Sequence, residues 1–443
     1  MVVRSDRDTT GDGRNPVLPP NVHIPDGEAR VMPDGRLYVY GSWDQHNDHF
    51  CSSQYRVAST ADLRTWTDHG VSFDISRVPW TGTPDATRWA GYDWTNPTPF
   101  MREVLGASGE ATAHEGGLLF APDAIHRDGR YYLYFCGSDD SEGVAVADCP
   151  EGPFDDALQL PCGGIDPAVF VDDDGQAYYY WGQFTASGAK LADDMRSFVA
   201  DSTVNDVLTE ETHFFHEGTS IRKVGETYVA LYSSIERGAP TTLSYATSRS
   251  PLGPFEHRGV VIDNARCDPS SWNNHGSIER FAGQWYVFYH RSSRRSMTWR
   301  RLCIEPLLIE EGGMIAEVPM TSQGAGRPFG AGESIEGWRA CEVVGGAHVG
   351  PGEDGVELLR GLAPGAAAAF RWVELAEPAT RMELVGRGHG LIQVCAGAVV
   401  VGEVELAQGR SAHALVALPA GRHELWLRGG TDSEAEVERI LLR

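Results

Sequence analysis

The chain has 443 residues, of which 41% are hydrophobic and 10% aromatic, and its 62 acidic against 37 basic residues give a net charge of −25. That length is enough for about two domains with large cores, and the composition excludes a disordered chain. The acidic balance disfavours nucleic acid or an anionic membrane as a partner. No stretch approaches the roughly 20 apolar residues of a membrane span, and no apolar leader opens the sequence. As the sequence stands we expect a cytoplasmic protein, or a secreted one if a leader has been removed.

The N-terminal residues 1–14 are polar and rich in Gly and Asp, which is typical of a flexible tail. A first β-hairpin is predicted over residues 26–40. In it Asp26 opens an apolar strand, Gly35 marks a tight Asp-Gly turn, and an aromatic strand returns. Residues 61–70 then predict the outer strand and turn of the same unit.

The same hairpin pattern recurs four more times along the chain. The copies cover residues 123–134, 165–180, 217–232 and 275–289. Their opening polar residues are Asp123, Asp166, Glu217 and His275. The turn glycines are Gly129, Gly175, Gly225 and Gly283, separated by 46, 50 and 58 residues. Periods of about 40 to 50 residues with several strands per unit predict a β-propeller. The 94 residues between Gly35 and Gly129 are too many for one blade and predict an insertion at about residues 77–117.

Polar residues that open the inner strands of a propeller converge at one end of its channel, because those strands lie nearest the axis. Three repeats supply carboxylates there: Asp26, Asp166 and Glu217. Glycoside hydrolysis needs such a set, with one acid protonated to donate to the leaving oxygen and one ionised to activate water. The alternative is that each acid only caps its turn. The polar residue stands 9, 6, 9, 8 and 8 residues before its turn glycine, and this common register favours a shared site.

Six segments in order resemble those of the family 43 glycoside hydrolases, and together they span most of residues 15–324. They are IPDGEARVMPDGRLYVYGSWD, LFAPDAIHRDGRYYLYF, GIDPAVFVDDDGQAYYYWG, FFHEGTSIRKVGETYVALYSS, SWNNHGSIERFAGQWYVFYHR and RRLCIEPLLIEEGGMIAEVPMTSQG. The resemblance implies an all-β fold with a five-bladed propeller. It implies an inverting mechanism with Asp26 as general base, Asp166 as the carboxylate that raises the pKa of the acid, and Glu217 as general acid.

The resemblance also implies an ion and matches Asp123 and Arg300 to residues of the family pocket, whereas Trp43 departs from the family pattern, in which a histidine is frequent at this place. His275 matches the family histidine at the channel centre, often beside calcium or another ion, and no organic cofactor is implied. The eight cysteines contain no C-x-x-C pair, which disfavours a zinc site. The predicted substrate-binding residues are Trp43, Asp44, Trp94, Asp123 and Arg300.

Several of these residues have a plainer alternative. Trp94 in the insertion is either a platform for the apolar face of a sugar or part of a local apolar cluster. Asp123 either contacts substrate or accepts hydrogen bonds from backbone N–H groups at the channel mouth. Arg300 either holds a sugar hydroxyl, depresses the pKa of one acid, or forms a surface salt bridge. His275 is either an ion ligand or partner of a catalytic carboxylate, or a buried, hydrogen-bonded histidine.

After residue 324 the composition changes to Gly, Ala and Val, and short alternating segments stand between Gly-rich turns. Residues 325–443 therefore predict a β-sandwich domain that follows the propeller of residues 15–324. The segment LPAGRHELWLRGG resembles the last strands of a family 6 carbohydrate-binding module. Only Trp338 and Trp372 are candidates to bind sugar, so a purely structural domain is the favoured role.

From these observations we expect an inverting, exo-acting glycosidase that releases a terminal α-L-arabinofuranosyl or β-D-xylosyl residue from an oligo- or polysaccharide. Two alternatives stay open. One is a hydrolase of another furanoside, galactofuranosyl or D-arabinofuranosyl, and the other is a propeller that binds glycans without cleaving them. The sequence leaves the oligomeric state open.

Overall fold

The computed structural model of the chain describes residues 7–9, 11–47, 49–80, 117–138, 140–407 and 411–443. In this part of the chain nearly all regular structure is β, in five blade-like sheets and one larger C-terminal sheet. The predicted five-bladed propeller followed by a β-sandwich is confirmed. Helical structure is limited to α1 (Glu210–His213) and 3-10 turns at Ile75–Arg77 and Gly337–Arg339 among the described residues. None of these helices is long and apolar enough to cross a bilayer.

Each blade is an antiparallel sheet made from one continuous stretch of chain. Blade 1 has the order β1-β5-β4-β3-β2, with β1 (Arg7–Thr9), β2 (Glu28–Val31), β3 (Leu37–Gly41), β4 (Gln54–Thr60) and β5 (Trp66–Asp74). Blade 2 contains β6 (Leu119–Arg127), β7 (Arg130–Gly137), β8 (Ser141–Ala147) and β9 (Asp155–Gly163). Blade 3 contains β10 (Ala168–Val171), β11 (Ala177–Trp181), β12 (Thr185–Lys190) and β13 (Val204–Thr209). Blade 4 contains β14 (Phe215–Val224), β15 (Thr227–Ser234), β16 (Thr242–Ser248) and β17 (Glu256–Asp263). Blade 5 contains β18 (Ser277–Phe281), β19 (Gln284–Ser293) and β20 (Ser296–Leu307).

The five predicted hairpins form the two innermost strands of the five blades. Their turn glycines all have positive φ, a conformation that favours glycine: Gly35, Gly129, Gly175, Gly225 and Gly283. The second strand of every hairpin carries a fully buried tyrosine at a corresponding place: Tyr40, Tyr134, Tyr180, Tyr232 and Tyr289. Burying a large aromatic ring of this kind stabilises the fold by roughly 1.5 to 3 kcal/mol. The repeated aromatic residue therefore fills the space between adjacent blades.

The N-terminal segment joins the first blade to the last and differs from the expected tail. Residues Arg7–Thr9 pair with β5. Arg14 is buried and donates to Glu333 Oε2 at 2.6 Å. The Asn15 amide donates to Ile304 O, and Ile304 N donates back to Asn15 Oδ1. A polar sequence is ordered here because its side chains pair with a carboxylate of the C-terminal domain and with backbone groups of β20.

The C-terminal domain is a sandwich-like sheet that wraps around one apolar core. Its strands are β21 (Ser334–Glu336), β22 (Glu342–Val344), β23 (His348–Pro351), β24 (Glu357–Leu362), β25 (Ala367–Leu375), β26 (Ala379–Ala396), β27 (Val399–Leu406), β28 (Ser411–Leu418), β29 (Gly421–Gly429) and β30 (Glu434–Leu442). Cys341 and Ala369 of this domain belong to the same buried cluster as Val287 of blade 5, so the two domains share part of a core. The sugar-binding candidates Trp338 and Trp372 are each stacked by an arginine.

Candidate active site

Four of the predicted site residues lie where the inner strands begin, at one end of the channel. Asp26 and Asp166 stand just before β2 and β10, and both have φ 57. Aspartate adopts this left-handed conformation more readily than most residues. Glu217 lies in β14 at an irregularity of the strand register, and His275 precedes β18. Four of the five blades therefore deliver a polar side chain to one place from near the start of the inner strand.

Asp26 is held ionised by a buried cation. The Arg300 guanidinium of β20 donates from Nη1 to Asp26 Oδ1 at 2.7 Å, and His290 Nδ1 lies 3.4 Å from the same oxygen. Both partners of the Asp26–Arg300 pair are almost fully buried. Burial alone would raise the pKa of Asp26. Arg300 and His290 lower it by more than burial raises it, so the pKa lies well below the ordinary aspartate range. Asp26 is therefore a carboxylate at neutral pH, suited to accept a proton from water.

Asp166 and Glu217 lie in the opposite kind of environment. Burial, followed by the charges of Glu217 and Asp26, raises the pKa of Asp166 well above its usual value. Burial also raises the pKa of Glu217, although the nearby His275 and a hydrogen bond from Gln183 Nε2 at 2.6 Å work against it. The two carboxyl groups therefore influence each other's protonation. Together they keep a proton at pH values above the ordinary pKa of an aspartate or a glutamate.

His275 lies beside this pair. Its Nδ1 is 3.5 Å from Asp166 Oδ2. Its Nε2 faces Gly218, where a Cβ atom would come within 2.7 Å of the ring nitrogen. Burial lowers the pKa of His275, which favours the neutral imidazole. Glycine at 218 is thus needed to seat the ring against Asp166.

Arg300 is the centre of a second layer of contacts. Besides Asp26, it binds Asp44 through Nε and Nη2, at 2.9 and 2.8 Å, while its backbone N–H donates to the same carboxylate. Asp44 also accepts from the Cys51 backbone N–H. The Phe50 ring lies over the guanidinium at 4.9 Å. The carboxylate of Asp44 and the guanidinium of Arg300 are thus used within the protein, and their predicted contacts to substrate stay predictions.

Trp43 is half-buried, and the Arg56 guanidinium stacks on its ring at 4.5 Å. One face of the indole is therefore covered by protein. Trp94 falls outside the described residues. Trp80, at the start of the predicted insertion, packs on Phe135 and donates its N–H to Ser141, which matches the packing alternative for this segment.

Asp123 lies one layer deeper in the channel than the three acids. It accepts two hydrogen bonds from Arg30, at 3.0 and 2.6 Å, and one from Val169 N at 2.7 Å. Glu28 bridges Arg30 and Arg222 in the same buried network. This matches the alternative in which Asp123 accepts hydrogen bonds from groups of the protein, among them a backbone N–H. The charged layer separates the acids from a cavity of about 430 Å³ near the far ends of the inner strands.

An ion at His275 has little support from the donors around it. Calcium takes six to eight oxygen ligands. Within the described ranges, no group of three or more His, Cys, Asp and Glu side chains is placed to hold a metal. The protein offers one imidazole here and no cage of carboxylates, so the donor set does not fit calcium. The predicted ion stays a prediction, and no step below depends on it.

Sequence reasoning missed several side chains around the site. Gln183 lies three residues after the buried Tyr180 of blade 3, and His290 directly follows the buried Tyr289 of blade 5. Phe50 and Trp272 form an edge-to-face pair with ring centres 5.4 Å apart. A polar residue within three positions after the repeated tyrosine was a usable signal for Gln183 and His290. Phe50 and Trp272 lie in loops without repeat register, so the sequence offered no comparable signal for them.

Comparisons with known proteins find related glycosidases over most of the chain. The family model "Glycosyl hydrolases family 43" matches residues 93–315. A xylosidase/arabinosidase from Thermoclostridium stercorarium is 32% identical over 376 residues, covering 74% of this chain and 72% of that protein. A family 43 β-xylosidase/α-arabinofuranosidase from a compost microbial metagenome, solved with xylotriose in a calcium-free form, has a TM-score of 0.55 and 29% identity, covering 71% of this chain and 99% of its own. An arabinoxylan arabinofuranohydrolase from Bacillus subtilis shares the fold over 98% of this chain and 99% of its own, with a TM-score of 0.52 and 23% identity.

Proposed function

The chain belongs to glycosyl hydrolase family 43, and from that premise we propose that it is an inverting, exo-acting glycosidase that releases a terminal α-L-arabinofuranosyl or β-D-xylosyl residue from oligo- or polysaccharides. Relatives named as xylosidases and arabinosidases support the pentosyl substrate. A related structure that was solved with bound xylotriose supports an oligosaccharide as the substrate.

In the proposed reaction Asp26 takes a proton from water, which attacks the anomeric carbon from one face of the sugar. Glu217 gives a proton to the departing glycosidic oxygen on the other face. Asp166 does not exchange a proton with substrate. When Glu217 holds the proton of this pair, the ionised Asp166 sustains that state by like-charge repulsion and, with His275, fixes the geometry of that side of the pocket.

The observation that carries this proposal is the separation of the acids by environment. Arg300 lowers the proton affinity of Asp26, whereas Asp166 and Glu217 share a buried region where their proton affinities rise. Titratable groups whose surroundings push their pKa values apart identify the base and the acid of a hydrolytic site. A propeller that only binds glycans has no need for this division.

The stereochemistry of the first product tests the mechanism. We expect ¹H NMR of an early time course to show the anomer inverted relative to the substrate. Inversion requires room for a water molecule, so the Asp26 and Glu217 carboxyl groups should lie about 6.5 to 9.5 Å apart in a substrate complex. A first product with retained configuration, or a separation near 5 Å, would contradict the proposal.

A panel of nitrophenyl glycosides tests the sugar. We expect turnover of α-L-arabinofuranoside or β-D-xyloside, and release of single pentose units from the end of an oligosaccharide. Turnover only of the galactofuranoside or D-arabinofuranoside would assign the enzyme to another furanoside. Binding of oligosaccharides without turnover of any glycoside would assign it to the non-catalytic class.

A further inference from the structure

The tip of the β19–β20 hairpin in blade 5 joins the catalytic propeller to the C-terminal domain. Arg294 donates from Nε and Nη2 to Glu357 Oε1, at 3.1 and 2.5 Å, and its backbone N–H donates to Val349 O at 2.6 Å. The neighbouring Arg295 donates to Gly346 O. The Glu357 side chain is 4% exposed and that of Arg294 is 23% exposed, so the ion pair between the domains has a buried carboxylate and a partly exposed guanidinium.

The same hairpin holds the loop that follows the first blade's inner hairpin. The Arg294 guanidinium lies 4.4 Å from the centre of the Trp299 ring. The Trp299 indole N–H donates to Asn47 Oδ1, and the Thr298 hydroxyl donates to His46 O at 2.7 Å. Two hydrogen bonds therefore attach the loop around residues 46–47 to a strand whose tip is fixed by the C-terminal domain.

That loop in turn fixes the surroundings of the base. Asp44 at its start receives three hydrogen bonds from Arg300, and Phe50 at its end covers the guanidinium. Arg300 binds Asp26. An unbroken series of contacts thus runs from Glu357 in the C-terminal domain to the carboxylate of Asp26 in the propeller.

We propose that the C-terminal domain is a working part of the active site, and that Glu357 is a positioning residue that orients the base Asp26 through Arg294, Trp299 and the loop around Asn47. The catalytic part of this inference rests on the proposed function. Without Glu357 the Arg294 side chain loses its only described carboxylate partner and is drawn toward solvent. Trp299 then loses the cation that packs on it, and the loop it holds gains freedom.

Amide hydrogen exchange tests the physical link without requiring activity. In the full chain, Glu357→Ala should increase exchange in the peptide that spans residues 44–51, where the Asp44 and Cys51 N–H groups are hydrogen-bonded in the parent. Glu436→Ala is the matched control, because it removes an ion pair to Arg360 of 2.6 Å within the same domain and away from the hairpin. The control should leave this peptide unchanged.

Kinetics test the catalytic consequence. Misplacing a catalytic group by about 1 Å can lower the rate on the order of 100-fold. The partial loosening expected in Glu357→Ala should therefore lower kcat roughly tenfold. This loss should appear on both an aryl glycoside and an oligosaccharide, with little change in KM. The acid limb of the pH profile should move to higher pH, because Arg300 stabilises the Asp26 carboxylate less. Glu357→Gln, which keeps a hydrogen-bond acceptor, should recover part of the activity.

The outcomes separate this proposal from the proposed function. Parent-like exchange, or a parent-like kcat and acid limb, in a folded Glu357→Ala protein would overturn the proposal. If that variant does not fold, Asn47→Ala interrupts the same contacts at an exposed position and should give the same changes. A parent enzyme inactive on every glycoside would defeat the proposed function, and exchange in residues 44–51 would still decide whether the C-terminal domain holds the loop.

Discussion

Replacing Arg300 with methionine removes the cation that keeps the base ionised and leaves a shorter, unbranched apolar side chain. In the parent, Arg300 is 3% exposed and contacts both Asp26 and Asp44. The substitution leaves both carboxylates buried without a cation. Because a buried charge without a partner is costly, each carboxylate should take up a proton at a higher pH than it does in the parent.

The size of the effect follows from the geometry. With the Arg300 Nη1 to Asp26 Oδ1 distance of 2.7 Å, the charge centres lie roughly 4 Å apart, and the attraction at an effective dielectric of about 20 is about 4 kcal/mol. Each 1.36 kcal/mol is a tenfold change in proton affinity. Removing Arg300 should therefore raise the proton affinity of Asp26 about a thousandfold.

The assay is the pH dependence of kcat/KM on an aryl glycoside, which reports the free enzyme. The parent should stay active to the lowest pH at which it is folded. Arg300→Met should show an acid limb about three pH units higher, together with a lower plateau from the misoriented base. Arg300→Lys keeps a charge without the two-sided contact and should fall between them. A folded Arg300→Met enzyme with the acid limb of the parent would refute the assignment of Asp26 as a base held by Arg300.

Three further outcomes are expected. Glu217→Ala should retain far more activity on a glycoside with an acidic phenol than on an oligosaccharide, whereas Asp26→Ala should lose about 100- to 10,000-fold on both; equal losses for both variants on both substrates would reverse or remove these roles. Asp166→Asn should move the alkaline limb of kcat to lower pH, and an unmoved limb would leave burial as the sole cause of the raised pKa of Glu217. Glu142 is fully buried and its pKa is raised by burial to about 8, so the folded state loses stability relative to the unfolded chain as pH rises from about 4.3 to 8. The Tm of Glu142→Gln should therefore exceed that of the parent by an amount that grows as pH rises across that window. The exposed Glu226→Gln is the control, and a Tm difference for Glu142→Gln that is as independent of pH as that of the control would contradict this.

The fold could be predicted because its strongest determinants are local. An Asp-Gly or Gly turn between an apolar and an aromatic strand is specified within about 15 residues, and the structure places each predicted turn glycine at positive φ. The same argument fails for residues 11–14, whose order depends on partners far along the chain, such as Glu333. Composition gives no information about a contact of that range.

The site could be predicted only as far as it is repeated. Asp26, Asp166, Glu217 and His275 share a register with a turn glycine, and the structure brings them together at one end of the channel. Asp123 stands only 6 residues before its turn glycine, against 8 or 9 for the others. The shorter offset corresponds to a place one layer deeper, where Asp123 binds Arg30, although the family resemblance implies a place near substrate. Phe50 and Trp272 lie in loops that are not part of the repeat, so no offset from a turn glycine could predict their contacts.

The position of a single arginine accounts for how three neighbouring acids come to differ. Arg300 lies on the Asp26 side of the pocket and is shared with Asp44, so it stabilises the charged form of the base far more than that of Asp166 or Glu217. The other buried arginines of the channel, Arg30 and Arg222, are paired with carboxylates in the deeper layer. The Asp166–Glu217 pair therefore has no direct arginine partner among the described residues, and repulsion and burial leave it a proton. A cation placed on the Glu217 side should consequently abolish acid catalysis even in a pocket of unchanged shape.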